Sequence, residues 1–137
     1  MTKWRLMLPA GLLLLGGAGC SDLGTEPESP PSAAAPVSFA ADLQPVFAAR
    51  CVVCHGVGGN AGLDLNAAVA WDNLVGVVAT NYGPRERVVA GNPDQSVLFL
   101  KVSGDVTVGD RMPLGGTLDT ETIEKIRVWI AQGALQN

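Results

Sequence analysis

One run of the sequence carries chemistry in its spacing: Cys51-Val52-Val53-Cys54-His55. Two thiols separated by two residues, with an imidazole directly after the second, suit the attachment of one haem c. Thiols at i and i+3 on a helical turn can reach the two vinyl groups of one porphyrin, and the adjoining His55 is placed under the iron as proximal ligand. Two rival chemistries fit less well. A thioredoxin-like redox pair normally sits in a βαβ setting, and no such pattern surrounds these residues. A structural zinc site needs four Cys or His ligands. Beyond residue 19 the chain offers only Cys20, Cys51, Cys54 and His55, with Cys20 far off in sequence.

A sixth ligand follows by elimination. His55 is the only histidine, so two histidines from one chain cannot serve the iron. Met1 and Met7 fall in a leader, which leaves Met112, 57 residues after His55. It stands in Gly109-Asp110-Arg111-Met112-Pro113-Leu114-Gly115-Gly116, irregular backbone suited to carrying one side chain across a haem face. The competing readings are a gap-filling core methionine, an open sixth position, or a weaker ligand such as Asn, Lys or water. Its polar, turn-like flanks favour the axial role. Three further side chains are candidates for the propionates: the Trp71 indole N–H, and the guanidinium groups of Arg87 and Arg85. A plain core tryptophan and two solvated arginines are the alternatives.

The rest of the chain must export, tether and position this site. Lys3 and Arg5 precede a short apolar run from Leu6 to Leu15, and Gly17-Ala18-Gly19 lead to Cys20. This is a signal-peptide pattern, too short for a stable span. Cys20 after small residues resembles the bacterial lipoprotein processing site, although Gly17 stands where a leucine-like residue is usual. Cleavage by the ordinary signal peptidase or an uncleaved anchor are the alternatives. Residues 1–19 are thus read as signal peptide, and 20–37 as lipidated Cys20 with a tether. Residues 21–37 hold four prolines and almost no large apolar side chain, so they cannot repay their own ordering. Residues 38–137 are the domain. If Cys20 is acylated and Cys51 and Cys54 are thioethers, no cysteine is left for a disulfide.

The length of 137 residues excludes a multi-domain enzyme, a Rossmann enzyme or a barrel. Nine cations against 13 carboxylates give −4, and loss of Lys3 and Arg5 with the leader makes it −6. A nucleic-acid partner is excluded by that balance, since a phosphate backbone needs a basic footprint. No internal repeat appears, and one CxxCH means one haem.

Coarse patterning is all-α. Residues 39–50 form a candidate helix that Ser38 or Asp42 could cap, with Asp42 favoured so that Pro45 lies in the first turn of a regular helix from about 43 to 50. Residues 66–75 suit a short second helix capped by Asn66. Asn92-Pro93-Asp94-Gln95 opens a third, running to about Val102. Ile123, Ile126, Trp129 and Ile130 mark a last helix with Asp119 or Thr120 as cap and Gly133 as stop. It is expected to pack against the first. Residues 79–91 read as loop, and no alternating stretch is long enough for a sheet.

These pieces together resemble the class I monohaem cytochrome c domains of bacterial periplasmic type. The similarity rests on Pro45, Cys51 to Gly56, the GLDL of residues 62–65, Ala70-Trp71, GNPDQSVL of residues 91–98, Arg111-Met112-Pro113, and Trp129 to Ala134, and so spans the domain. It implies about four short helices wrapped around one covalent haem, His55 proximal, Met112 distal, and crossed first and last helices. It also implies single-electron transfer between protein redox partners, without catalysis. The acidic balance suggests partners with a basic docking patch, and Cys20 suggests attachment to the extracytoplasmic face of a bacterial membrane. The alternatives are a permanently docked subunit of a dehydrogenase or oxidase, a small haem sensor or enzyme with an open sixth site, and a haem-free binding module.

Overall fold

The computed structural model describes residues 35–137. The leader, Cys20 and most of the tether lie outside them. The described residues form four short α-helices joined by turns and single 3-10 turns: α1 (Gln44–Arg50), α2 (Ala70–Leu74), α3 (Val97–Ser103) and α4 (Thr120–Ala131). Two isolated bridges, Val75 with Val88 and Val78 with Glu86, are the only β pairing among them. The all-α expectation holds at this level.

The first helical stretch covers the expected residues 39–50, but it is capped by the less favoured of the two candidates. Ser38, not Asp42, is the N-cap: its hydroxyl accepts from the Ala41 N–H, while Asp42 reaches back to the Ser38 N–H at 2.9 Å. A π turn over Phe39–Leu43 then leads into α1. There the Gln44 N–H bonds the Phe39 carbonyl, five residues back. Pro45 follows at the start of the α-helical segment, where its missing N–H costs least.

The second and third helices are shorter than expected. Asn66 caps nothing with its side chain, which is held by Asp64 at 2.8 Å; α2 starts only at Ala70. The helix expected from Asn92 is broken at Ser96 into a 3-10 turn, Pro93–Gln95, and α3. Ser96 is fully buried, and its hydroxyl donates to the Asn92 carbonyl at 2.8 Å and accepts from the Val89 N–H at 2.9 Å. Such local side-chain bonds compete with helix continuation.

α4 matches its reading. Asp119 caps it through the Thr122 N–H at 2.8 Å, and Gly133 turns away at φ +100°. Ile126, Trp129 and Ile130 are buried. The Phe39 ring lies 5.2 Å from the Trp129 ring and 6.0 Å from Phe47, so the start of the first helix packs on the last. The chain ends close the same contact: Ala40 N–H donates to the Asn137 carbonyl at 2.8 Å, and Val37 N–H to Gln132 Oε1 at 3.0 Å. The ordered unit therefore takes in the last residues of the stretch read as tether.

The Thr122 N–H and hydroxyl hold the Asp119 carboxyl below the usual aspartate range. A group depressed on folding stabilises above its unfolded pKa, near 4, and loses that contribution as pH falls through its folded value. Asp119→Ala should therefore lower Tm at pH 7 and leave Tm nearly unchanged at pH 2. Thermal melts at the two pH values check this.

Candidate functional site

The CVVCH segment continues α1 as a tight turn. Cys51 N–H bonds the Phe47 carbonyl at 2.9 Å, and His55 N–H bonds the Cys51 carbonyl at 2.8 Å. The chain then folds back on itself. Asn60 N–H returns to the Cys54 carbonyl at 3.0 Å. Gly59 is obligatory there, since a Cβ would stand 2.8 Å from the carbonyl oxygens of both Cys54 and Gly56. This reversal brings the Asn60 carbonyl 3.1 Å from His55 Nδ1. A carbonyl can only accept, so Nδ1 carries a proton, which in the neutral ring leaves the Nε2 lone pair open. That is how proteins fix the tautomer of a metal-ligating histidine.

A cavity of about 390 Å³ gathers residues far apart in the sequence: Cys51, His55, Arg87 and Met112, with Leu63, Leu65, Ala79, Val97 and Leu98 as its apolar wall. Cofactor sites of this kind are mostly apolar with a few placed polar groups. The charged side chains in the lining are two cations, Arg87 and Lys101, and no carboxylate.

Arg87 is buried. It donates to the Asn73 carbonyl at 2.8 Å and to the Ala61 and Gly62 carbonyls at 3.0 and 3.2 Å. Burial pulls its pKa below the ordinary arginine range. Among the described residues no carboxylate pairs with it. A buried cation lacking a counter-charge favours an anionic ligand. Arg87→Met would take this donor from the Asn73 and Gly62 carbonyls, while the Ala61 carbonyl keeps the Thr80 hydroxyl at 2.8 Å, at a cost on the order of 2–3 kcal/mol. Arg87→Lys should restore little of it, because one ammonium cannot span both segments as a planar fork does. Urea denaturation measures both.

Other expected site residues lie elsewhere. Cys54 is exposed and outside the lining. Trp71 is also outside it: the indole N–H donates to the Ala134 carbonyl at 2.8 Å, tying α2 to the C-terminal tail. Arg85 stands at the exposed end of the Tyr82–Arg85 turn and donates to Thr107 Oγ1 at 3.2 Å. It borders a separate, polar cavity with Glu86, Asp94 and Asp105. Burial raises the Cys51 thiol above its ordinary pKa, against a weaker opposing pull from Arg50. A reactive redox thiol needs the opposite shift.

Met112 is held to α3 by its backbone, with the N–H on the Lys101 carbonyl at 3.0 Å. The preceding Arg111 donates to the Val102 carbonyl at 2.9 Å, its stem lying over Gly104, the left-handed residue that ends α3. Sequence reasoning missed Lys101 and Tyr82, which also line the cavity. The available signals were slight: Lys101 is the one charge in the apolar run VLFLKVS, and Tyr82 is the only tyrosine.

Among the described residues no group of three or more His, Cys, Asp or Glu could hold a metal ion alone. A porphyrin iron asks less of the chain, since it takes only axial ligands from the protein. No family model, curated protein or solved structure matches this chain.

Proposed function

We propose that the chain is a class I monohaem c-type cytochrome that passes single electrons between protein partners. One observation carries the reading: one largely apolar cavity joins the Cys51–His55 turn, Met112 and a buried Arg87 that has no acid partner among the described residues. When attached, haem c supplies one-electron exchange between ferric and ferrous iron.

The chain's own residues then have defined tasks. Cys51 and Cys54 would hold the porphyrin as thioethers. His55, with its proton fixed on Nδ1 by the Asn60 carbonyl, presents Nε2 as proximal ligand. Met112 would serve as the second ligand, and a thioether there would favour the reduced state. Arg87 offsets propionate charge. Leu63, Leu65, Val97 and Leu98 keep water from the porphyrin. With His55 and Met112 both committed to the group, no position would be left for a substrate, and the site would serve electron exchange alone.

No helix among the described residues is long and apolar enough to cross a membrane. We place the domain on the extracytoplasmic face of a bacterial membrane, anchored through Cys20. A lipid at Cys20 would raise its concentration near membrane partners. The net acidic chain favours partners with a basic docking surface.

An optical redox titration of the full chain, matured with covalent haem, tests this. The reading expects one reversible one-electron transition with unchanged axial ligation. A haem that binds cyanide or peroxide as readily as an open-site haem would contradict it.

A further inference from the structure

We propose that Lys101 is a positioning residue that holds Met112 on the iron; the proposal rests on the haem reading above. Three links converge on this one side of α3. The Lys101 carbonyl accepts the Met112 N–H at 3.0 Å. Its ammonium donates to the Asp110 carbonyl at 3.1 Å, two residues before Met112. The same ammonium lies 4.9 Å from the centre of the Tyr82 ring, on the loop that forms another part of the cavity lining. Lys101 thus grips the methionine loop on both sides of Arg111 and fastens it to the 79–85 loop.

The ammonium is not engaged otherwise: among the described residues no carboxylate lies within ion-pair distance of it. A lysine satisfied by a backbone carbonyl and an aromatic face is directed at local geometry, not at surface charge. The backbone link survives any substitution at position 101, so variants isolate the two side-chain links. Loosening them raises the fraction of molecules whose distal position is free. An added ligand that needs that position then binds more tightly in proportion.

Imidazole is the probe, titrated against the ferric full chain. Lys101→Ala should tighten its apparent Kd about tenfold, as expected for loss of a charge-assisted hydrogen bond and a cation–π contact. Lys101→Arg keeps a donor and a cation over the ring and should stay within about twofold of the parent. The far-red ferric band that reports Fe–S bonding should persist in the parent and in Lys101→Arg. Parent-like imidazole affinity in Lys101→Ala, with covalent haem and the far-red band present, overturns the proposal and leaves the haem reading intact. A parent chain with no covalent haem overturns both, and the haem stain separates that outcome from the first.

Discussion

Cys51→Ala/Cys54→Ala is expected to yield a chain that carries no covalent haem and does not hold its native fold. Two effects combine. The thioethers are lost, so a denaturing gel should show no haem stain where the parent stains fully. The domain also loses the group that fills its cavity. The apolar wall of the cleft, Leu63, Leu65, Val97 and Leu98, would lose the contacts that the group makes, a loss that weighs heavily against the roughly 5–15 kcal/mol that holds a small domain. The remaining core, built from Phe39, Phe47, Leu74, Ile126 and Trp129, is modest for about a hundred residues. The double variant should therefore show weakened helical circular dichroism and rapid proteolysis. Native-like helicity without haem would show that the domain is self-sufficient and that the cavity is not a filled core.

The second large effect is expected at Met112. Met112→Ala removes the thioether while leaving the backbone link to Lys101 untouched, since that link uses the N–H. The haem should remain covalently attached. The far-red ferric band should disappear, and the reduction potential should fall by on the order of 100 mV or more, because a distal thioether stabilises the ferrous state. Spectroelectrochemistry reads both together. An unchanged potential would assign Met112 to the cavity wall and not to the iron.

Much of this arrangement was legible in the sequence, for particular reasons. The last helix was clear because Asp119, its apolar face and Gly133 agree on one element. His55 and Met112 stood out by scarcity: one histidine in the chain and one methionine beyond residue 19 leave few choices. Ser38 stood beside Asp42 as a possible cap, but choosing between them, and reading Ser96 at all, was harder, since a serine's role depends on which backbone groups the fold brings near it. Trp71 shows the same limit. Its N–H needed a partner, and only the fold reveals that the partner is the Ala134 carbonyl. Arg85 and Arg87 are two residues apart in one loop, yet one lies at an exposed turn and the other is buried among carbonyls. Lys101 was hidden because a single cation in an apolar helix looks like a solvated face until the methionine loop is folded over it.

The central claim is that both cysteines of the CVVCH turn are consumed by one haem. Its most direct test is the mass of the purified full chain, matured in cells that assemble c-type cytochromes, denatured and treated with a thiol alkylating agent. The account predicts a chain that retains one haem and takes up no alkyl group at Cys51 or Cys54. A haem-free chain alkylated at both positions would contradict it.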